Sequence, residues 1–180
     1  MVQHMTAPHD GTTVFAADAA ARRHGIELLE AAPGAATLRM AVTAEMANGH
    51  GIAHGGYVFL LADTAFACAC NSRGVAVAAG ADITYAAPAH VGDVLVARAE
   101  ERVCFGRNGV YDVSVLRGAE VIAEFRGRSR IVRDPATGAQ GAAGAARAAR
   151  AAGTAGAAGA AAANGEHRGA GDENGPEGRA

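Results

Sequence analysis

The stretch from Tyr57 to Cys70 constrains the fold of this chain more than any other part of the sequence. Its residues are apolar on every side of a helix except at Asp63 and Thr64. A helix that is apolar all round has to be covered by other elements, usually a sheet or a partner helix. The stretch therefore predicts a long buried helix, in which Asp63 is either functional or a structural carboxylate bonded to Thr64 or a backbone amide.

A glycine-rich loop, residues 48–56, leads into this helix. Gly55 and Gly56 place backbone N–H groups, unobstructed by side chains, at the positive end of the helix dipole, where an anion or an oxyanion is stabilised. Asn48 and His54 add an amide and an imidazole to the same loop. Together with the carboxylate inside the helix, these groups suit acyl transfer to water.

The rest of the chain predicts an antiparallel sheet around the helix. Alternating apolar residues and turn residues indicate strands at 26–30, 36–42, 75–85, 93–104, 109–116 and 120–132, and a first helix at 13–23. Because the strands arrive mostly as hairpins, the fold class is α+β, with about six strands curled round one long helix. One sheet cannot cover both sides of that helix, so we expect a second copy to pack against it.

Composition divides the chain and excludes several function classes. From about residue 135 it becomes rich in Ala, Gly and Arg, which predicts a disordered tail at 134–180, a flexible N-terminus at 1–12 and one domain at 13–133. The net charge of -2 carries no nucleic-acid or polybasic membrane signature. The sequence shows neither a basic leader nor an apolar run long enough to cross a bilayer, so a cytoplasmic location is expected.

Other catalytic classes find less support in the residues. No serine lies in a Gly-x-Ser-x-Gly elbow, and the glycine spacing of the loop misses the dinucleotide fingerprint. Cys68, Cys70 and Cys104 lie among apolar neighbours and are expected to be buried free thiols. His50 and His54 are four residues apart but lack a third ligand at helical spacing, so no metal site is expected.

The spacing of the candidate groups predicts a site made by two copies. Gly55 and Asp63 are eight residues apart, which is about 12 Å along a straight helix. One carbonyl group cannot be polarised by the first and attacked with help from the second across that distance. Two antiparallel helices related by a two-fold axis would bring Gly55 of one copy towards Asp63 of the other, which predicts an obligate dimer with two equivalent sites.

Several spaced motifs resemble the phenylacetate-pathway thioesterases, which are hydroxyphenylacetyl-CoA thioesterases of the hotdog superfamily. The resemblance covers roughly residues 13–133, and its motifs are 48–50, 54–56, 61–67, 71–72, 109–112 and 125–129. It implies a hotdog fold, dimers paired into tetramers, and hydrolysis of an arylacetyl-CoA, such as phenylacetyl- or hydroxyphenylacetyl-CoA, to the free acid and CoA. It also implies that the reaction uses no metal or other cofactor.

The resemblance assigns roles to four residues of the loop and helix. Asp63 matches the catalytic carboxylate, which acts as general base on water or as nucleophile. Gly55 matches the residue whose amide polarises the thioester carbonyl. Asn48 matches a side chain that positions water or the thioester, and His54 matches the histidine that supports the loop.

The substrate-binding assignments are Gly56, Arg126, Arg128 and Ser129. Gly56 lies at the same helix start as the catalytic amide. The other three match a strand of the family where basic groups meet the phosphates of CoA. A solvated strand face is the alternative interpretation of the two arginines.

Two other functions stay open for the same pocket. A non-catalytic acyl-CoA sensor would bind CoA esters without releasing a thiol. An enoyl-CoA hydratase would need Asp63 to act with a histidine, which only His54 or His50 of the neighbouring subunit would supply.

Overall fold

The computed structural model describes residues 11–133. The helices are α1 (Gly11–Ala17), α2 (Ala19–Arg23) and α3 (Gly55–Cys70), and the strands are β1 (Glu27–Ala32), β2 (Ala35–Ala41), β3 (Val75–Tyr85), β4 (Val94–Phe105), β5 (Asn108–Arg117) and β6 (Glu120–Arg133). Short 3-10 turns lie at Ala44–Met46 and Asn71–Arg73. The predicted tail at 134–180, and all but two residues of the predicted N-terminal segment at 1–12, lie outside the described residues.

The six strands form one antiparallel sheet in the order β1-β2-β4-β5-β6-β3. Alternate residues of the central strands are buried towards α3, which packs across the sheet. Each predicted strand is present, with ends shifted by a few residues at most. The predicted α+β layout, a long helix wrapped by an antiparallel sheet, is therefore confirmed, and β1 and β3 are its edges.

The predicted first helix at 13–23 is wrong as a single element, because the structure divides it at Asp18. The side chain of Asp18 accepts a hydrogen bond from the Ala21 amide at 2.9 Å and so caps the start of α2. Aspartate competes for backbone amides in a helix interior and favours an N-cap, which explains the break.

The C-terminal end of α3 is held by Asn71, which is buried. Its Nδ2 donates to the carbonyl of Ala67 at 3.0 Å, and its Oδ1 accepts from the Ala76 amide at 2.9 Å. One side chain therefore ties the last turn of the helix to the first residues of β3. These bonds satisfy backbone groups at the helix end and fix the connection between the two elements.

The prediction of three buried thiols is correct for Cys68 and Cys70 and wrong for Cys104. Cys104 lies near the end of β4, where its neighbours Val103 and Phe105 are 49% and 57% exposed. An apolar stretch of sequence does not predict burial there, because residues 102–108 at this end of the β4–β5 hairpin are all exposed.

β6 passes very close to α3 at Gly127. A Cβ atom at this position would lie 2.6 Å from the ring of Phe66. The Phe66 side chain is 1% exposed and has ring contacts with Tyr111 and Phe125, at centroid distances of 5.5 Å and 5.9 Å. Since Phe66 has no room to move, only glycine fits beside it.

Gly127→Ala should lower the free energy of unfolding by about 1–3 kcal/mol, because the added methyl group overpacks a closed part of the core. Gly49→Ala is the matched control, since no atom lies within 4 Å of a Cβ atom at that position. Denaturant unfolding at one fixed protein concentration measures both variants. Equal stabilities would show that the core at Phe66 can rearrange.

Candidate active site

A cavity of about 460 Å³ lies at the N-terminal end of α3. Its lining residues are Asn48, Ile52, Ala53, Gly55, Val58, Tyr85, Ala86, Ala87, Pro88, Ala89 and Ile122. The volume falls within the range of small-molecule sites, and most of the lining side chains are apolar. The structure thus brings together two of the predicted catalytic residues, Asn48 and Gly55.

The start of α3 is capped by His54. Its Nδ1 accepts a hydrogen bond from the Gly56 amide at 3.0 Å, while its imidazole is exposed. An accepting Nδ1 carries no proton, so this cap places the proton of a neutral imidazole on Nε2. His54 thus caps the helix start, and the Gly56 amide, assigned to substrate binding, is already used by the cap.

The Gly55 amide is the first N–H of α3 and therefore has no acceptor within its own helix. No hydrogen bond from this amide to another part of residues 11–133 is present. Because Gly55 also lines the cavity, its amide is a donor available to a bound carbonyl oxygen. This is the geometry expected of an oxyanion donor.

The loop before the helix is shaped by Asn48. Its Oδ1 accepts from the His50 amide at 2.8 Å, and its carbonyl accepts from the Gly51 amide at 3.0 Å. Gly51 has a φ of 75°, a left-handed conformation that glycine adopts without strain. Because an N–H group faces Oδ1, the Nδ2 donors of Asn48 point elsewhere and remain available for a ligand.

Asp63 lies half-buried on α3, outside the cavity that Gly55 lines. It makes no hydrogen bond or ion pair with a described residue, and the Thr64 hydroxyl donates instead to the Leu60 carbonyl at 2.8 Å. Burial, and then the negative charge of Asp18, raise the pKa of Asp63 above its usual value. Within one chain, the structure therefore does not bring Asp63 to the other predicted catalytic groups.

The predicted substrate-binding residues of β6 lie on two different faces of the sheet. Arg126 and Arg128 are exposed on the outer face, where they pair with Asp112 and Asp82, each at 2.6 Å. Ser129 is buried, because successive residues of a strand point to opposite faces. The structure thus groups the two arginines and separates Ser129 from them, and none of the three lines the cavity.

Tyr85 is a residue of this site that the sequence analysis missed. It ends β3, lines the cavity, and donates its hydroxyl to the Gly55 carbonyl at 2.9 Å. The contact joins residues 30 positions apart and depends on how β3 curls round the helix. The one signal in the sequence is an aromatic residue at the end of a strand, which is too common to predict a contact.

The other reactive groups offer little alternative chemistry. Burial raises the pKa of the Cys68 and Cys70 thiols to about 12, which leaves them un-ionised near neutral pH. Residues 11–133 contain no group of three His, Cys, Asp or Glu side chains able to hold a metal ion.

Within residues 11–133, no helix has the length and apolar character needed to cross a membrane.

Comparison with known proteins gives the family. Residues 50–122 match the model of the thioesterase superfamily. The acyl-coenzyme A thioesterase PaaI of Escherichia coli is 43% identical over 123 residues, which cover 67% of this chain and 88% of that protein. The chain belongs to the PaaI family of thioesterases.

Solved structures of PaaI proteins share the fold. The E. coli PaaI protein from the phenylacetic acid degradation operon has a TM-score of 0.67 and 40% identity, and the match covers 69% of this chain and 92% of that one. A variant of the phenylacetic acid degradation protein PaaI from Thermus thermophilus has a TM-score of 0.63 and 37% identity, covering 63% and 99%. These findings confirm the hotdog fold expected from the sequence motifs.

The raised pKa of Asp63 predicts how stability changes with pH in Asp63→Asn. Stability linked to this carboxyl group is fully present below its ordinary, unfolded-state pKa of 3.8 and is lost as pH rises through the folded-state pKa. Near neutral pH the raised pKa of this group therefore makes its contribution to the stability of the wild-type fold unfavourable, and the asparagine variant should have the larger free energy of unfolding.

The stability difference between Asp63→Asn and the wild type should shrink as pH falls towards the unfolded-state value. Denaturant unfolding of both proteins across an acidic pH series, at one protein concentration, measures this difference. An asparagine variant that is less stable near neutral pH would show that the carboxylate has a stabilising partner.

Proposed function

We propose that this protein hydrolyses acyl-CoA thioesters, most readily phenylacetyl- or hydroxyphenylacetyl-CoA, at a site formed by two copies of the chain. One observation carries the proposal, namely that two reactive groups of the same helix both lack a partner within the described residues. The Gly55 amide makes no hydrogen bond within residues 11–133, and Gly55 lines the cavity. The half-buried carboxylate of Asp63 has no hydrogen-bond or ion-pair partner among the described residues of its own chain. The two groups are about 12 Å apart along one helix, so each needs its counterpart from another copy.

The proposed reaction uses each group at a stated atom. The Gly55 N–H donates a hydrogen bond to the thioester carbonyl oxygen and stabilises the negative charge that develops there. A water molecule attacks the carbonyl carbon and gives its proton to the carboxylate of Asp63 from the other copy. The C–S bond then breaks, CoA leaves as the thiol after taking up a proton, and the free acid remains.

Asp63 and Asn48 each have two possible roles within this scheme. Asp63 acts either as the base for water or as a nucleophile that forms a mixed anhydride, which water then hydrolyses. Asn48, which lines the same cavity as Gly55, is suited to positioning water or the thioester through its Nδ2 donors.

The acyl preference is supported by the cavity and by the relatives. Ile52, Val58 and Ile122 give it apolar walls that suit an aromatic acyl group. The two solved PaaI relatives are described as proteins of phenylacetic acid degradation. Arg126 and Arg128 remain predicted contacts of the CoA phosphates, although each would have to share its present carboxylate partner with the phosphate.

The surface of the single chain supports a dimer. β3 is an edge strand, and an unpaired edge offers backbone groups to a second strand. Val77 and Tyr85 on this strand are 48% and 50% exposed. Phe59 and Leu60, which precede Asp63 on α3, are only partly covered.

Two further predictions come from the sequence alone. They are the pairing of dimers into tetramers and a cytoplasmic location.

The direct test of the function is thiol release from a panel of acyl-CoAs, including phenylacetyl, hydroxyphenylacetyl, benzoyl and straight-chain esters. We expect the highest kcat/KM with the arylacetyl esters, and a fall of about 10²–10⁴-fold in Asp63→Asn, because the base or nucleophile is removed. Glu45→Gln is the matched control, since it neutralises an exposed carboxylate outside the cavity.

Two outcomes of this panel would contradict the proposal. Wild-type turnover in Asp63→Asn would exclude the proposed role of the carboxylate. Saturable binding of CoA esters to the wild type without thiol release would favour the sensor function instead.

A mixing experiment tests whether the site is shared between copies. Gly55→Pro removes the amide proton at the first helical position, where the backbone tolerates proline. Its ring also displaces the Tyr85 ring, but within the same site that the variant inactivates. Asp63→Asn removes the carboxylate. In a hybrid dimer, one site has both mutations and the other has neither. Refolding equal amounts together should therefore restore about a quarter of wild-type activity, since about half of the dimers are hybrids with one intact site.

The control for the mixing experiment is each variant refolded alone, which should stay inactive. A mixture that is no more active than the two separate variants, although hybrids form, would place the whole site in one chain. Hybrid formation is checked by pull-down with a tag on only one of the variants.

A further inference from the structure

The peptide group between Gly55 and Gly56 is held by a side chain at each end. Its carbonyl, from Gly55, accepts a hydrogen bond from the Tyr85 hydroxyl at 2.9 Å. Its N–H, from Gly56, donates to Nδ1 of His54 at 3.0 Å. One anchor belongs to the helix cap and the other to the end of β3, so the two ends are held by different parts of the fold.

The ring of Tyr85 also lies directly against Gly55. A Cβ atom on Gly55 would meet both Cζ and the hydroxyl oxygen of that ring at 2.9 Å. The same ring and Gly55 both line the cavity. The tyrosine therefore touches the helix start through its ring and its hydroxyl, although its side chain is half exposed.

This clamp acts at the most adaptable point of the backbone. Two successive glycines have more conformational freedom than any other pair of residues. The Gly55 N–H belongs to the preceding peptide group, whose His54 carbonyl accepts a hydrogen bond from the Tyr57 amide at 2.9 Å. The φ and ψ angles of Gly55 set its direction relative to the Gly55–Gly56 peptide group, so holding the Gly55 carbonyl restrains that direction from the other side. The preceding residue is anchored separately, because the His54 amide donates to the Met46 carbonyl at 2.8 Å.

A fixed donor direction matters for the proposed reaction. A hydrogen-bond donor that already points at the developing oxyanion needs no reorganisation during the reaction, and small misplacements are costly. A donor on an unrestrained glycine pair would lose part of this advantage. Holding the Gly55–Gly56 peptide group in one orientation is therefore a function that the Tyr85 hydroxyl can perform without touching the substrate.

We propose that Tyr85 is a positioning residue of this thioesterase, and that its hydroxyl orients the Gly55 amide by holding the Gly55 carbonyl. The inference rests on the proposed function, because it assumes that this amide polarises the thioester. The other possible role of Tyr85 is that of a simple cavity wall, in which case its ring would matter and its hydroxyl would not.

Tyr85→Phe separates these two roles, because it removes the hydroxyl and keeps the ring. We expect kcat to fall about 5- to 10-fold, as for the loss of one hydrogen bond, while KM for the best acyl-CoA stays within about twofold. Tyr57→Phe is the matched control, since it removes the hydroxyl of another tyrosine on α3, outside the cavity, and should leave both constants unchanged.

A second measurement does not depend on activity. Amide hydrogen exchange, followed by NMR with glycine-selective ¹⁵N labelling, should be faster in Tyr85→Phe than in the wild type at Gly56, whose amide is hydrogen-bonded to His54. Tyr57→Phe should exchange like the wild type. If the wild type hydrolyses no acyl-CoA, the proposed function fails, and the exchange rates still test whether the clamp exists.

Three results would overturn the proposal. The first is an unchanged kcat in Tyr85→Phe, and the second is a rise in KM alone, which is the behaviour of a cavity wall. The third is unchanged exchange at the Gly56 amide. Tyr85→Leu provides a further check, because it removes ring and hydroxyl together and should add a rise in KM to the same loss of kcat. Thermal unfolding of each variant shows that the comparison is made between folded proteins.

Discussion

Burial of the central helix is the interaction on which the rest of this structure depends. Nine residues of α3 are buried, and the sheet curls round them because a helix with so little polar surface has no stable place in water. Phe66 lies at the centre, in contact with the rings of Tyr111 and Phe125. Gly127 lets β6 pass close enough to close the packing. Once the buried side of α3 is packed against the sheet, the N-terminal end of the helix and its partly exposed side are held in place as well.

The same helix then supplies two different electrostatic environments. At its start, the Gly55 amide has no acceptor and lies in an apolar cavity, where a hydrogen bond to a developing negative charge is stronger than in water. Two turns further on, Asp63 is half-buried with no cation beside it in the described part of the chain, and its pKa is raised. A carboxylate in that state costs stability near neutral pH, which favours a functional rather than a structural explanation for it.

Much of the fold was predictable because short-range patterns decide it. Alternation of apolar residues gave six strands, and the sheet order confirms that they pair as an antiparallel sheet. The errors arise where a neighbouring element, rather than the local pattern, determines the outcome. Asp18 ends one helix and caps another, and Cys104 is exposed together with the rest of its hairpin end, residues 102–108. Ser129 is on the opposite face from the arginines with which it was grouped.

The sequence by itself determined that a long apolar helix follows a glycine-rich loop, that Asp63 lies within it, and that Gly55 and Asp63 are too far apart to act within one chain. These conclusions need only helix geometry and the chemistry of each residue. Only the tertiary structure decided that Asn48 and Gly55 share a cavity, and that the Gly56 amide is taken by the helix cap. Only the tertiary structure showed that the Tyr85 hydroxyl donates a hydrogen bond to the Gly55 carbonyl. The reason is that such contacts join distant segments, and their geometry depends on how the sheet curls round the helix.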